Sequence, residues 1–484
     1  MRKITTILIA FTLLFGAVGC KKLIEIEETD ALIGETALKT VSNVEQAVIG
    51  TYAAYSMNMN ILLNSSLADE VRTAGEFYNA ATTHEWQYNS QDVGLRDNFT
   101  AISPQYNMIN RANLVLANVV RADSTTAGDN TKRNRLKGEA LFLRALGHFE
   151  LFRYYCSNYN PDALAMPYME TSTLTKFPRI KQGPYFQKLI ADITEAKTLL
   201  PNNLTDIGRA TVVSASALHA RIALYMNDWA TAETNATTFI NAIPLATAAG
   251  FPGIWTDANT LEVGFILRRT TANAGIYGRL GSIFRGTSSV NGGVINIGTI
   301  TWQPTDELYN LYDKVNDVRF NSYIKDEPLL IAGGRTGRVV RKYEGGAYGT
   351  PTENIASDKV FRTAEMFLIR AEARAELGRF TGANSAEADI NALRAARITG
   401  YAPVTFASKD QAITETLSER LKELAFEGHR FFDLKRRNLP VTRLATDAPN
   451  VPAQNLAAGN FRFIMPIPQP EILANPLMVQ NTGY

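Results

Sequence analysis

Two stretches of the sequence join aromatic side chains to amide, carboxylate and guanidinium groups. One covers residues 76–89 and the other residues 277–303, each in polar or glycine-rich surroundings. Aromatic rings stack on the C–H faces of sugars, and planar polar groups hydrogen-bond to sugar hydroxyls. The two stretches therefore predict a sugar platform. Its candidate ligand-binding residues are Tyr78, Trp86, Tyr88, Asn89, Tyr277, Arg279 and Trp302.

Trp86 and Trp302 are the foremost candidates among these seven residues. The alternative is that each indole only packs its loop onto the scaffold. The polar neighbours of Trp86 argue against deep burial, because amide and charged residues are mostly exposed in folded proteins. For Trp302 both interpretations stay open.

No catalytic or metal-binding motif stands out in the sequence. The four histidines are far apart in sequence, and His-Glu-x-x-His, Cys-x-x-Cys and Gly-x-Ser-x-Gly patterns do not occur. The segment 333–338 is glycine-rich, but it lacks the Gly-Lys-Ser/Thr ending of a phosphate-binding loop, which favours a hairpin turn. We predict no catalytic residue, no metal site and no cofactor.

The segment 417–436 alternates acids and arginines within an apolar helical pattern. Such side chains could be catalytic, but buried charges usually survive by pairing with one another. We therefore predict partly buried ion pairs that lock helices together. Their members are Glu419, Arg420, Glu427, Arg430 and Asp433.

Alanine-rich amphipathic segments with helical spacing make up most of the chain. Residues 220–232 and 371–383 share one pattern, in which a small-residue helix meets a short polar turn and an aromatic opens the partner helix. This pattern is typical of a tetratricopeptide helix pair. We predict a mainly α fold, with tetratricopeptide-like helical pairs as a scaffold, inserted loops and a few short β-strands.

Composition divides the chain into five parts. They are a signal peptide over 1–19, a lipidated tether over 20–30, an N-terminal helical region over 31–250, a glycine-rich insertion of loops and short strands over 251–350, and a C-terminal helical region over 351–484. We expect binding residues on the loops, because loops carry function while helices supply rigidity.

The N-terminus resembles the signal of a bacterial lipoprotein. A charged start precedes an apolar run from Ile4 to Gly19, and small residues lead into Cys20. The run is too short to span a bilayer comfortably, which disfavours a plain anchor helix. We predict cleavage before Cys20 and lipidation of its thiol, although Ala17 stands where such signals usually have leucine.

Charge and cysteine content exclude two classes of protein. The formal net charge is +2, and removing Arg2 and Lys3 with the signal leaves a neutral chain without a basic stripe for nucleic acid. The chain has 2 cysteines, so lipidation of Cys20 leaves Cys156 alone. We therefore expect stability to come from a large core rather than from disulfides.

The segment 417–436 resembles the signature of the SusD/RagB family of bacterial surface lipoproteins. Shorter matches follow in family order along the chain. They are Arg144-Ala145, Lys342-Tyr343, Arg370–Ala373 with Leu377-Gly378, Pro466–Ile472, Asn475–Leu477 and Gln480–Tyr484. These motifs are structural in the family, whose ligand contacts lie in variable loops.

The resemblance implies a tetratricopeptide-like scaffold, anchored by lipid to the outer face of the outer membrane. It implies a non-catalytic protein that captures an oligosaccharide for a SusC-like, TonB-dependent transporter. Some members take peptides or other nutrients, and this alternative stays open here. A surface enzyme and a purely structural lid on the transporter are the remaining alternatives.

Overall fold

The computed structural model describes residues 37–74, 81–91, 102–273 and 280–484. The predicted signal peptide and tether, with Cys20, lie outside the described residues, as do Tyr78, Tyr277 and Arg279. Helices dominate the described ranges, and strands are few and short. The prediction of a mainly α fold with a few short strands is confirmed.

The helices and strands are numbered along the chain. The helices are α1 (Val41–Tyr52), α2 (Asn58–Leu67), α3 (Ala81–His84), α4 (Ile102–Val119), α5 (Asp129–Tyr155), α6 (Gln182–Leu199), α7 (Val212–Met226), α8 (Trp229–Ala242), α9 (Phe251–Trp255), α10 (Leu280–Arg285), α11 (Asp306–Asn310), α12 (Val318–Tyr323), α13 (Pro328–Ala332), α14 (Thr363–Glu376), α15 (Ala386–Ala395), α16 (Lys409–Glu423), α17 (Arg430–Arg436) and α18 (Gln469–Ala474). The strands are β1 (Val71–Thr73), β2 (Val263–Leu267), β3 (Ser288–Asn291), β4 (Val294–Ile297), β5 (Trp302–Pro304), β6 (Ile324–Asp326), β7 (Arg338–Val340), β8 (Asp358–Arg362), β9 (Val441–Thr442) and β10 (Asn455–Leu456).

Helices α7 and α8 form the first predicted helical pair. Thr211 and Ser214 cap the start of α7 reciprocally, and the Asp228 carboxylate accepts a hydrogen bond from the Thr231 amide at the start of α8. Trp229 is the first residue of α8 and is partly buried against the main core. The aromatic therefore opens the partner helix, as the sequence pattern predicts.

Helices α14 and α15 form the second pair, with one difference from the prediction. The hydroxyl of Ser385 caps α15, which begins at Ala386, so Phe380 lies in the linker and does not open the helix. Gly378 and Gly382 have φ of 80° and 85° and extend the turn, because glycine adopts this left-handed region without steric cost. Phe380 still packs against the apolar cluster of this pair.

Helix α5 is the centre of the scaffold. It packs between α4 and α6, and every residue from Gly138 to Tyr155 is buried. A helix buried on all sides must find partners for its polar side chains. Arg144 donates to both carboxylate oxygens of Asp192 at 2.6 and 2.7 Å, and Glu150 accepts a hydrogen bond from Asn60 at 2.8 Å.

The glycine-rich segment 251–350 is joined to both flanking regions by strand pairing. Its β5 pairs antiparallel with β1 from the N-terminal region, and its β2 pairs antiparallel with β8 from the C-terminal region. Two further pairs, β3–β4 and β6–β7, lie within the segment. The segment also holds short helices, which its composition does not predict. The outer strand pairs fix the insertion to the helical scaffold at two separate places.

The core contains a buried network of ion pairs centred on α16 and its neighbours. Acidic and basic members are equal in number, so their formal charges cancel within the apolar interior. The buried members are Glu262, Asp317, Glu419, Glu423 and Glu427 with Arg319, Lys342, Arg362, Arg394 and Arg397.

All five charged residues that the sequence singles out in segment 417–436 form ion pairs. Glu419 contacts Arg319 and Arg394 at 2.5 and 2.6 Å, and Glu427 contacts Arg362 and Lys342, both at 2.7 Å. The contacts of Glu419 join helices α12, α15 and α16, and those of Glu427 join strand β8 and the turn after β7 to the loop before α17.

Asp433 lies between two guanidinium groups, those of Arg420 and Arg436, each at 2.8 Å. Arg430 reaches out of its helix to Asp69 at 2.6 Å.

Among the helices within the described ranges, none has the length and apolar character needed to cross a bilayer.

Candidate functional site

The fold joins the two aromatic and amide stretches that the sequence predicts as a platform. Strand β1 leads into the first stretch and pairs with β5, which carries Trp302; the register places Thr73 opposite Trp302 and Arg72 opposite Gln303. The Ala74 amide continues the ladder by donating to the Thr301 carbonyl at 3.0 Å. Residues more than two hundred positions apart in the sequence thus lie side by side in one strand pair.

Trp86, in the first predicted stretch, is buried. Its side chain is 3% exposed, and its indole N–H donates to the Leu67 carbonyl at 2.9 Å. The Arg443 guanidinium lies over the indole ring at 4.2 Å from the centroid. This burial corrects the expectation of an exposed stacking ring. The polar neighbours of Trp86 in sequence do not predict its environment, because Arg443 reaches it from the C-terminal region.

Trp302 is also buried, with 2% of its surface exposed. Its ring lies 5.4 Å from the ring of His84. Burial, together with the nearby Arg443, lowers the pKa of His84 to about 3, so the imidazole is neutral, and its Nδ1 donates to the Ser66 carbonyl at 2.8 Å. Of the two interpretations that the sequence leaves open for Trp302, this burial favours packing of its loop onto the scaffold.

Tyr88 and Asn89 point into opposite environments. Tyr88 is 1% exposed, its hydroxyl donates to the Arg462 carbonyl, and its ring stacks near Tyr484, so its predicted exposure is wrong as well. Burial raises the pKa of this hydroxyl well above its usual value. Asn89 is exposed, and its Oδ1 accepts a hydrogen bond from the Gln91 amide at 2.8 Å.

Solvent-accessible polar side chains, called the polar rim below, alternate with buried aromatic side chains along this segment. Glu85, Gln87, Asn89 and Gln91 present carboxylate and amide groups on the segment that Trp86 and Tyr88 anchor. The remaining candidates, Tyr78, Tyr277 and Arg279, lie outside the described residues. Such a rim can hydrogen-bond to hydroxyls and offers both donors and acceptors.

The charged segment 417–436 contacts the residues just before β1. Arg430 donates to both carboxylate oxygens of Asp69, and the Phe426 amide donates to Glu70 at 3.0 Å. Asp69 and Glu70 immediately precede β1. Burial raises the pKa of Glu70 to about 7. Ion pairs of the signature segment therefore position the strand from which the predicted platform starts.

Comparison with known proteins places the chain in a family. Residues 25–224 match the family described as "Starch-binding associating with outer membrane", and residues 301–484 match the family described as "SusD family". The two matches cover most of the sequence, including the charged segment.

The chain belongs to the SusD family. The SusD-like protein P2 of Formosa agariphila is 25% identical over 100% of this chain and 99% of its own. A SusD superfamily protein from Bacteroides vulgatus ATCC 8482 has 24% identity and a TM-score of 0.77, with 92% of this chain and 99% of that one covered. Surface glycan-binding protein A from Bacteroides thetaiotaomicron, solved in complex with laminarihexaose, has 18% identity and a TM-score of 0.71, with 91% and 99% covered.

Three residues of this SusD-like protein support the rim but escape sequence reasoning. Arg443 donates to four backbone carbonyls around Trp86, among them those of Ala68 and His84 at 2.8 and 2.6 Å. Arg462 and Tyr484 clamp Tyr88. Only Tyr484 belongs to a stretch with a sequence signal, the family ending. Nothing in the sequence near Arg443 or Arg462 indicates their distant partners.

Proposed function

We propose that this SusD-like protein is a non-catalytic surface lipoprotein that captures an oligosaccharide for a SusC-like, TonB-dependent transporter of the outer membrane. The observation that supports the proposal is the strand pair β1–β5, which brings the segment leading into the first predicted stretch beside the end of the second. A relative with the same fold binds laminarihexaose, and a matching family is described as starch-binding. Both support a glycan as the ligand class.

The ligand contacts in this proposal lie on the polar rim. Asn89 supplies an exposed amide, and Tyr78, Tyr277 and Arg279 supply rings and a guanidinium from the adjoining segments. Trp86 and Trp302 act as the foundation that keeps the rim in position. An aromatic ring and planar polar groups converging on one place can bind a sugar ring by its face and its hydroxyls together.

The proposed location follows from the N-terminal sequence and the family. Cys20 carries the lipid, and the charged residues after it form the tether to the folded scaffold. One matching family is described as associating with the outer membrane, which supports this location. The protein then faces the cell exterior beside its transporter.

The experiment is titration calorimetry on mature protein that starts after Cys20, so that no lipid is present. The panel contains neutral glucan, xylan and mannan oligosaccharides, with oligopeptides as the second arm. We expect heat of binding with at least one glycan and no new reducing ends after prolonged incubation. Binding of peptides alone would support the alternative nutrient class. Product formation that a single carboxylate substitution abolishes would show an enzyme instead.

A further inference from the structure

A second cleft lies near the C-terminus, away from the strand pair β1–β5. It has a volume of about 370 Å³ and is formed by the loop 157–160 after α5, the end of α17 and the turn 459–464. This volume is within the range of about 300–1,000 Å³ that small-ligand clefts occupy. None of these three segments is among the predicted ligand-binding stretches.

The cleft presents hydrogen-bonding groups that the protein itself leaves unused. Among the described residues, the Tyr159 hydroxyl and the Asn438 side-chain amide have no hydrogen-bond partner. Asn158 uses only its amide nitrogen, which donates to the Lys435 carbonyl at 2.8 Å, and Asn460 uses only its oxygen, which accepts from the Arg462 amide. Both donors and acceptors therefore remain available to a ligand.

The lining of the cleft favours an uncharged ligand. No carboxylate is among its lining residues, and its one ionisable cation is Lys435. The Lys435 ammonium is buried and donates to the Arg153 and Cys156 carbonyls at 2.8 and 2.6 Å, so it points into the protein. A charged ligand would therefore meet no opposite charge among the lining side chains that point into the cleft.

The aromatic rings of the cleft are held in fixed orientations. Tyr159 packs edge-on against Phe186 with centroids 4.9 Å apart, and Phe461 packs edge-on against Tyr484 at 5.0 Å. Tyr159 and Phe461 are both only partly buried. Each ring can therefore offer apolar surface to a ligand at little cost in conformational entropy.

The backbone that carries two of these amide groups has a defined conformation. Asn438 has φ of 51°, a left-handed conformation that fixes its place after α17, and Asn460 caps the short helix that follows it. The wall of the cleft is also joined to the predicted platform, since Arg462 donates to the Tyr88 carbonyl at 2.9 Å. A side-chain hydrogen bond therefore links the wall of the cleft to the segment that carries the polar rim.

We propose that this cleft is a second carbohydrate-binding site, which takes a short stretch of a neutral oligosaccharide. Tyr159 and Phe461 contact the sugar ring, and Asn158, Asn438 and Asn460 bind its hydroxyls. Rings with unused neutral donors and acceptors match a polyol better than an ion or a purely apolar ligand. The inference rests on the proposed function only for the ligand class.

The test uses calorimetric titration of the mature chain with neutral hexasaccharides of glucan, xylan and mannan. Tyr159→Phe keeps the ring and removes the hydroxyl, whereas Asn438→Gly keeps the left-handed backbone and removes the amide. The matched control is Asn384→Gly, because Asn384 is an exposed asparagine with φ of 54° in a different part of the scaffold. Thermal melts of all variants verify the fold.

We expect each cleft variant to lose the second binding event or to weaken it by about threefold to tenfold, the range for one hydrogen bond. The control should bind like the wild type. If the wild type binds a glycan and both cleft variants bind it equally well, the second site is refuted while the proposed function stands. If no glycan binds to the wild type, both are refuted. If the cleft variants abolish all binding but Asn89→Ala does not, the cleft stands and the rim is misplaced.

Discussion

Trp86 combines a strained backbone with a tightly held side chain. Its φ of 56° lies in the left-handed region, which costs a residue other than glycine roughly 1–2 kcal/mol. The hydrogen bond from its indole to Leu67 and the guanidinium of Arg443 over its ring offset that cost. The strained residue sits within the predicted platform, and it turns the chain so that Asn89 faces solvent.

The first prediction concerns the two buried tryptophans. Trp86→Ala and Trp302→Ala should each lower the free energy of unfolding by about 3–5 kcal/mol, because each change leaves a large cavity in the core. Urea and thermal melts measure the loss. Variants that melt like the wild type but lose glycan affinity would restore the sequence expectation that both rings contact the ligand.

Asn89→Ala is the matched control for the tryptophan variants. Asn89 is exposed, so the change should alter the free energy of unfolding by about 0.5 kcal/mol or less. It should weaken glycan binding, because it removes an exposed amide. An early melt of this variant would show that its turn is structural.

At the scale of elements, α17 contacts both α2 and the residues just before β1, and we call it the strap of these two elements. The Phe432 amide donates to Asn64 in α2, and Arg430 pairs with Asp69 directly before β1. The side chains of Arg430 and Asp69 are 16% and 4% exposed. Because water reaches neither charge well, each depends on the other for its stabilisation.

The second prediction tests that strap. Arg430→Ala and Asp69→Ala should each lower the free energy of unfolding by about 3–5 kcal/mol, since removing one partner leaves a buried charge unpaired. The double variant should cost less than the sum of the two single variants in denaturant melts. Lys181→Ala, which breaks an exposed pair with Asp162, serves as the control and should change stability by less than about 1 kcal/mol. Additive losses at Arg430 and Asp69 would contradict a coupled pair.

The third prediction concerns Glu423 in the buried network around α16. Burial alone raises its pKa, but Arg397, Arg362 and Arg319 outweigh burial and lower the pKa from 4.5 to about 2. A depressed folded-state pKa adds stability that is complete above pH 4.5 and is lost as the pH falls toward 2. Glu423→Gln should therefore cost about 3–5 kcal/mol at neutral pH.

The cost of Glu423→Gln should shrink steadily in acid, because protonation makes the wild-type side chain neutral like its replacement. Urea melts of both proteins between about pH 7 and pH 2.5 measure this difference. A difference that is the same at every pH would show that Glu423 acts through its shape rather than its charge.

The sequence predicts those features that depend on neighbours along the chain. The α7–α8 pair follows from small residues, Asp228 and Trp229 within one short stretch. The second pair is misjudged at Phe380, because glycines on both sides extend the turn and the helix begins only at Ala386. The platform tryptophans are misjudged more seriously, since their burial depends on Arg443 and on the β1–β5 pairing, which no local pattern reports.

At the scale of the whole molecule, the fourth prediction concerns attachment to the membrane. Cys20→Ser should release the protein from the membrane fraction while its melting temperature stays unchanged, because the proposed lipid is the anchor and the change falls in the predicted tether. Cell fractionation and thermal melts measure the two effects. Retention in the membrane after normal signal cleavage would place the anchor elsewhere.

The contact between Asp69 and Arg430 spans 361 positions of the chain. The strand β1 can therefore be fixed in place only after α17 is available, and its partner strand β5 comes from the middle of the sequence. Contacts between distant segments slow folding, because the loops between them must close first. In the proposed export the N-terminus crosses the membrane first, so β1 arrives before α17. A chain that a protease cuts before residue 430 therefore lacks the α17 contacts that hold α2 and the residues before β1.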